Sequence, residues 1–263
     1  MSRPDPQGGP GETLTLELAA PFGCVTVTPI TGAQEMWLAA RRGGLLSAAA
    51  LETMILSAGM LRGGGDTPGA WLVGDRNRLL LAVLCAGYGA PEELWLRCPD
   101  CGEIHEVPLD LASLLVRVPA GPAGKSFSVE EETMQIRLPT GDDLCAATAG
   151  GAGTLLSRCA PGAGEGAAEV LEAEIAARDP LAEVRVALAC VGCGAAVTGR
   201  LDPLALLLTE IDRGGGVLAE IDRLARVYRW SEAELLALPA WRRRLYLTHL
   251  AEAAPSEAAR ALS

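Results

Sequence analysis

The chain carries Cys98-Pro99-Asp100-Cys101-Gly102 and, much later, Cys190-Val191-Gly192-Cys193-Gly194, which are two copies of one pattern. A C-x-x-C pair places two thiolates about one tetrahedral edge apart. The glycine that follows permits a tight turn that aims backbone N–H groups at the sulfurs. Two such C-x-x-C-G turns, called knuckles here, together supply the four thiolates of a structural Zn²⁺ site. The predicted zinc ligands are Cys98, Cys101, Cys190 and Cys193.

Short apolar runs flank both knuckles and predict β-strands. Residues 94–96 precede the first knuckle and residues 104–107 follow it, while residues 184–188 and 196–201 flank the second. Strand, knuckle and strand, repeated twice, is the pattern of a zinc ribbon. A redox C-x-x-C is the weaker interpretation, because that motif lies at a strand-to-helix junction. Metal-free thiols, or one disulfide within each pair, would also be compatible with the two motifs.

The two knuckles are unusually far apart. Between Cys101 and Cys190 lie 88 residues, whereas common ribbons use about 15 to 20. A subdomain must therefore be inserted between the two halves of the site. We predict an α+β fold: a split zinc ribbon with an inserted α/β subdomain and a helical C-terminal tail. The predicted divisions are a disordered N-terminus (1–12), a strand-helix part (13–91), the split ribbon (92–111 with 183–201), the insert (112–182), a helical docking region (202–254) and a flexible tail (255–263).

Charge and hydropathy restrict the class of protein. The net charge of −11 argues against a general nucleic-acid binder, because phosphate contacts need clustered basic residues. Residues 1–11 lack the apolar core of a signal peptide, and the most apolar window, 45–61, is short for a membrane span. We therefore expect a cytoplasmic protein that does not contact membranes. The four cysteines outside the knuckles are expected to be buried, reduced thiols: Cys24, Cys85, Cys145 and Cys159.

Few groups in the sequence suit catalysis. His105 is a minor candidate for a zinc ligand, and His249 is expected to be a surface or partly packed residue. The paired Asp142 and Asp143 resemble a metal or acid–base site, but carboxylates at a helix start ordinarily act as caps and complement the helix dipole. Four thiolates leave no coordination position open for a catalytic water. We expect no enzymatic activity and no small-molecule substrate.

Local signals place several elements. Period-two alternation in residues 14–18, followed by residues 25–28, predicts an opening strand pair. Asp202 before Pro203 predicts a helix start, and Asp75 is a candidate cap for another helix. Three further starts have the spacing of a capping box: Thr31 with Gln34, Thr140 with Asp143, and Ser231 with Glu234.

The C-terminal region is rich in arginine and aromatic residues although the protein is acidic. Six arginines and four Trp or Tyr residues lie between Arg223 and Tyr246. Arg, Trp and Tyr dominate the hot spots of protein–protein interfaces. The alternative is that the aromatic residues belong to the core and the arginines to a solvated face. The predicted partner-binding residues are Arg226, Tyr228, Trp230, Trp241, Arg242, Arg243 and Tyr246.

A series of short motifs resembles one protein family in both content and order. The motifs are residues 30–38 (ITGAQEMWL), 73–81 (VGDRNRLLL), 98–102 (CPDCG), 137–143 (RLPTGDD), Asp179-Pro180, 190–194 (CVGCG) and 224–232 (LARVYRWSE). Together they resemble the baseplate hub assembly chaperone-like proteins that are encoded with contractile phage tails and phage-tail-like injection systems. The resemblance covers about residues 14 to 250.

The resemblance implies a non-enzymatic assembly factor or structural accessory of a contractile baseplate, with baseplate or hub proteins as partners. The competing class is a zinc-ribbon adaptor that binds nucleic acid through the C-terminal arginines. That class predicts salt-sensitive binding of DNA or RNA. A redox enzyme is a third possibility, which predicts that mild oxidant affects the C-x-x-C pairs of the zinc-loaded protein.

Overall fold

The computed structural model describes residues 10–42, 48–57, 61–63, 68–91, 93–116, 126–129, 132–162, 164 and 166–253. Residues 1–9 of the predicted disordered start (1–12) lie outside this range, and so does the predicted flexible tail at residues 255–263. Within it, the backbone N–H of Gly11 donates to the carbonyl of Ala86 at 2.9 Å. None of the described helices combines the length and apolar character needed to cross a membrane.

Helices and strands are both well represented, so the chain has a mixed α/β fold. The described strands are β1 (Leu14–Glu17), β2 (Cys24–Val27), β3 (Leu61–Gly63), β4 (Glu93–Arg97), β5 (Ile104–Pro108), β6 (Phe127–Val129), β7 (Glu132–Ile136), β8 (Val184–Ala189) and β9 (Ala196–Leu201). The described α-helices are α1 (Gly32–Arg42), α2 (Ala48–Leu56), α3 (Val73–Tyr88), α4 (Leu111–Leu115), α5 (Gly141–Gly150), α6 (Ala152–Cys159), α7 (Ala167–Arg178), α8 (Pro203–Asp212), α9 (Gly216–Tyr228), α10 (Glu232–Ala237) and α11 (Ala240–Ala253).

The strands form small antiparallel sheets rather than one large sheet. The predicted opening pair is confirmed: β1 pairs with β2, and β3 adds a third strand on the other edge of β2. The pairs β4–β5, β6–β7 and β8–β9 are separate hairpins. Leu14 and Leu16 of β1 and Val25 and Val27 of β2 face the core, because alternate side chains of a strand point to one face.

Helix α3 is the centre of the core. Almost all of its residues are buried, including the run from Leu79 to Ala86. A helix that is apolar on every side must be surrounded by other elements, and α3 packs against β1, β2, α2, α4, α8 and α11. Side chains from several separate segments of the chain therefore meet on one helix.

The first turns of α3 carry a polar run, Gly74-Asp75-Arg76-Asn77-Arg78, that binds distant segments of the backbone. The prediction that Asp75 caps the helix is wrong. The helix starts at Val73, and the Asp75 carboxylate accepts a hydrogen bond from the N–H of Ala19 at 2.7 Å and pairs with Arg78 at 2.8 Å. The backbone N–H of Gly74 donates to the Asp179 carboxylate at 2.9 Å, and the side chain of Asn77 donates to the carbonyl of Leu181 at 2.7 Å. The Arg76 guanidinium donates to the carbonyl of Ala49 and to the Glu52 carboxylate, both at 3.0 Å. The Arg78 guanidinium donates to the carbonyl of Leu115 at 2.8 Å.

The other predicted capping residues behave as expected. Thr140 and Asp143 form a reciprocal capping box at the start of α5, and Ser231 and Glu234 form one at the start of α10. Asp202 accepts from the N–H of Ala205 at 3.0 Å, so it caps α8. In addition, Asp143 pairs with Arg137 and Arg158, which ties the start of α5 to the end of β7 and to α6.

The cysteines outside the knuckles differ in burial. Cys85 and Cys159 are buried, as predicted, and burial raises the pKa of each thiol to about 11. Cys145 is half-buried. The prediction of a buried thiol is wrong for Cys24, which is exposed because it lies on the outward face of β2.

Candidate metal centre

Two hairpins bring the knuckles together. β4 pairs with β5 from Glu93↔Pro108 to Arg97↔Ile104, and the first knuckle connects them. β8 pairs with β9 along their whole length, and the second knuckle connects them. The predicted flanking strands are therefore confirmed. The hairpins lie in separate sheets and pack through β4 and β9.

The two knuckles have the same backbone geometry. The N–H of Cys98 donates to the carbonyl of Glu103, and the N–H of Cys190 donates to that of Ala195, both at 2.8 Å. The backbone N–H groups of Gly102 and Gly194 donate to the carbonyl of the first cysteine in their own knuckle. Both glycines have positive φ, 78° and 77°, a conformation that other residues adopt only with strain. The pattern C-x-x-C-G therefore encodes the turn itself.

The four cysteine sulfurs form one compact cluster. All lie within 4.8 Å of one another; Cys98 Sγ is 3.6 Å from Cys193 Sγ, and Cys101 Sγ is 3.5 Å from Cys190 Sγ. A tetrahedral site with Zn–S bonds of about 2.3 Å requires S···S edges of about 3.8 Å. A disulfide would require about 2.05 Å, and all four thiols are free. The donor set and its spacing therefore fit one metal ion.

The cluster needs a cation if all four thiols are to ionise. The backbone N–H of Cys101 lowers the pKa of the Cys98 thiol to about 7. At Cys193 the N–H of Ala195 also lowers the pKa, but the neighbouring thiols of Cys101 and Cys98 outweigh it and raise that pKa to about 12. Its neighbours thus hold the Cys193 thiol protonated, whereas a bound metal ion deprotonates its thiol ligands.

Apolar packing shields one side of the cluster. Cys98 and Cys190, the first cysteine of each knuckle, are buried together with Val197, whereas Cys101 and Cys193 are exposed. The two hairpins approach closely at Gly199, where an added Cβ would lie 2.3 Å from Leu96 Cδ2. A site with two buried and two exposed ligands lies at the edge of the protein.

His105 is not part of the cluster. It lies on β5, is buried, and its Nε2 has no hydrogen-bond partner among the described residues. The metal-ligand group that the described residues contain consists of cysteines alone. Four thiols fill a tetrahedral shell, so the arrangement suits a structural metal better than a catalytic one.

The predicted partner-binding residues divide into two groups. Tyr228, Trp230 and Tyr246 form an aromatic cluster with ring centroids 4.8 to 5.6 Å apart, and all are half-buried. Trp241 is half-buried against Gly11. Arg226 and Arg242 are exposed, and Arg226 pairs with Asp222 at 2.9 Å.

Arg243 requires a correction, because it is fully buried and cannot contact a partner. Its guanidinium pairs with Glu35 of α1 and with Glu220 of α9, and it donates to the carbonyl of Leu238 at 2.8 Å. Burial raises the pKa of Glu35, although Arg243 opposes that rise. Neither acidic partner is identified from the sequence alone. The signal that could have found them is an acidic residue among the core-facing positions of α1 and α9.

Comparison of the chain with protein-family models, curated proteins and solved structures finds no match.

Proposed function

We propose that this protein is a non-enzymatic assembly factor or structural accessory of a contractile-tail or injection-system baseplate, held together by one structural zinc ion in a split zinc ribbon. The observation that carries the proposal is the cluster of four cysteine thiols, contributed by two hairpins that are distant in the chain. Zinc is the metal that tetrahedral four-thiolate sites most often hold. Such a closed site joins parts of a chain and performs no chemistry.

Residues in the motifs that resemble the baseplate family make contacts that hold this fold together, which supports a fold in common with that family. Glu35 pairs with Arg243, the polar run of residues 74–78 binds five segments, and Asp179 accepts from the N–H of Gly74 at 2.9 Å. Asp143 holds Arg137 and Arg158. Each of these residues lies in a motif of the resemblance or binds one. Residues that hold distant segments together constrain a fold strongly, so their joint occurrence favours a common architecture over coincidence.

The contacts of three of the six C-terminal arginines count against the nucleic-acid adaptor, because they leave few free cations on this surface. Arg243 is buried, Arg244 pairs with Glu210 at 2.7 Å, and Arg226 pairs with Asp222. Phosphate binding needs several free cationic groups on one surface. We expect no salt-sensitive binding of DNA or RNA at low ionic strength, and such binding would favour the adaptor instead.

The test of the assembly role is to tag the protein in its native host and to separate assembled tail particles from soluble material by sedimentation. Stoichiometric presence in sheathed particles would make it a baseplate subunit. Presence in the soluble pool, bound to one or two tail proteins, would make it an assembly chaperone. Absence of any tail partner would refute the assignment and leave a metal-stapled protein of another role.

A further inference from the structure

The surface where α9, α10 and α11 meet carries an aromatic cluster between two depressions. We call it the aromatic surface and define it by Tyr228, Trp230, Leu245 and Tyr246. Tyr246 lines both depressions. The larger, about 550 Å³, is also lined by Tyr228 and Leu245. The smaller, about 200 Å³, is also lined by Trp230, Glu234 and Arg242.

An apolar side chain is exposed on this surface: Leu245 is 61% exposed and lies in the larger depression beside Tyr228 and Tyr246. A single exposed apolar residue is normal, but one that stands next to a cluster of half-buried aromatic rings is typical of a protein-binding site. Because each ring is already held by its neighbours, little side-chain entropy remains to be lost on binding.

Unpaired positive charge lies beside the aromatic rings. Arg229 and Arg242 are exposed, and neither side chain has an ion-pair or hydrogen-bond partner among the described residues. The nearby Glu234 is engaged, since it accepts from the N–H and the hydroxyl of Ser231 at 2.8 and 2.7 Å.

The other charged residues near the surface do not neutralise these arginines. Arg226 and Asp222 pair with each other. Glu232 lies in the first turn of α10, where the helix dipole offsets its charge. Glu252 and His249 also line the larger depression, which does not include Arg229 or Arg242. The smaller depression therefore combines aromatic walls with the Glu234 carboxylate, which is engaged by Ser231, and with the Arg242 guanidinium, which has no partner among the described residues.

Arg229 has an unusual backbone conformation. Its φ of 59° and ψ of 23° are left-handed, and it is the one non-glycine residue with positive φ among the described residues. Glycine would adopt this conformation at the end of α9 without strain. Strained residues of this kind concentrate at functional sites, and here the strain places an unpaired arginine directly before Trp230.

We propose that the aromatic surface binds an acidic, apolar segment of a partner protein. Apolar side chains of the segment pack on Tyr228, Leu245 and Tyr246, and a carboxylate pairs with Arg242 in the smaller depression. Arg229 provides a second cation beside Trp230. This inference deepens the proposed assembly role and rests on it for the identity of the partner as a tail protein.

The test uses the full-length, zinc-loaded protein and a displayed library of random peptides. The library is selected in parallel on the wild type, on the double variant Arg229→Glu/Arg242→Glu, and on the control Arg185→Glu/Arg200→Glu, which makes the same charge change on β8 and β9. Thermal melting checks that all three proteins are folded. We expect the wild type and the control to enrich peptides that combine Asp or Glu with Leu, Phe or Trp. The enriched peptides, once synthesised, should bind the first double variant at least tenfold more weakly.

Three results would overturn the proposal. The first is enrichment of peptides without acidic residues, or no enrichment at all. The second is binding that appears only after removal of residues 254–263, which would make the chain's own C-terminus the occupant. The third is a wild-type dimer that Arg229→Glu/Arg242→Glu dissociates, which would make a second copy the occupant. If acidic peptides bind as expected but the native host yields no tail partner, the assembly role fails and the surface assignment stands.

Discussion

Asp179 is a buried carboxylate with only one of its two oxygens satisfied. Its Oδ2 accepts from the N–H of Gly74, while Oδ1 has no partner among the described residues. Burial raises its pKa to about 7; the charge of Asp75 adds to the rise, and the Gly74 N–H and Arg78 oppose it. A protonated Asp179 therefore suits the folded protein better than a charged one.

The raised pKa predicts a definite dependence of stability on pH. Between the unfolded pKa of about 4 and the folded pKa of about 7, the folded state binds more protons. Its stability therefore falls as pH rises through this window, by up to about 1.4 kcal/mol per pH unit, and levels off above it. Asp179→Asn removes this contribution. Urea unfolding from pH 5 to 8 should show the wild type losing stability relative to the variant up to about pH 7. A constant difference would contradict the burial of a protonated carboxyl.

Gly74 has no room for a side chain. An added Cβ would lie 1.7 Å from Asp179 Oδ1 and 3.2 Å from the backbone nitrogen of Ala182. We expect Gly74→Ala to lower the free energy of unfolding by about 3 kcal/mol, because it overpacks the site and breaks the bond to Asp179. Gly153 is the matched control, since it lies in α6 with no atom within 4 Å of an added Cβ. Gly153→Ala should leave the melting temperature unchanged or raise it slightly. Equal melting temperatures for the two variants would contradict the close packing at Gly74.

At the scale of elements, buried ion pairs fix how the C-terminal helices pack on the rest of the protein. Arg243 of α11 bonds to Glu35 of α1 and Glu220 of α9. Its neighbour Arg244 lies over the ring of Tyr88 of α3, 4.5 Å from the centroid. Arg244 also pairs with Glu210 of α8, so these two consecutive arginines connect α11 to four other helices.

Replacing Arg243 should therefore be far more damaging than replacing the adjacent Arg242. Arg243→Met leaves the carboxylates of Glu35 and Glu220 buried without their cation, which should cost about 3 to 5 kcal/mol of stability. Arg242→Met changes an exposed residue that has no partner in the described part of the chain, and it should cost less than about 0.5 kcal/mol. Denaturant midpoints of the two variants provide the measurement. Similar midpoints would show that the buried ion pairs do not form.

Much of the element order follows from local sequence signals. The capping pairs and the alternating strands predict real elements because both depend on residues within a few positions of one another. The role of Arg243 cannot be predicted in this way, since its partner Glu35 lies 208 residues away. The prediction for Asp75 is wrong for the same reason: a carboxylate near a helix start resembles a cap, but this one accepts from Ala19, 56 residues earlier.

For the molecule as a whole, the cysteine cluster closes a long loop. It brings Cys101 and Cys190 together across a spacing of 89 positions, so a metal ion bound there would hold the two hairpins at the ends of the intervening segment. The C-x-x-C-G pattern predicts the ligands because each turn is locally encoded. No local sequence signal connects the two distant knuckles. Their sharing of one site is inferred instead from the requirement of a tetrahedral metal site for four ligands, of which each knuckle supplies two.

The metal should contribute a large part of the stability. A structural zinc site can supply on the order of 10 kcal/mol, comparable with the net stability of a domain. A strong chelator should therefore lower the melting temperature of the wild type, and added zinc should restore it. Cys98→Ser should already melt at the lower temperature and should respond little to chelator. A wild type that melts at the same temperature with and without chelator would show that metal binding at the cluster does not stabilise the fold.

The central claim, one zinc ion shared by two distant knuckles, is tested most directly by counting metal per chain. Elemental analysis of the purified wild type, Cys98→Ser, Cys190→Ser and the control Cys24→Ser, which alters an exposed thiol outside the cluster, provides the measurement. We predict one zinc per chain in the wild type and the control, and loss of that zinc in both knuckle variants. Unchanged metal content in both knuckle variants, or a wild type without zinc, would contradict the shared site.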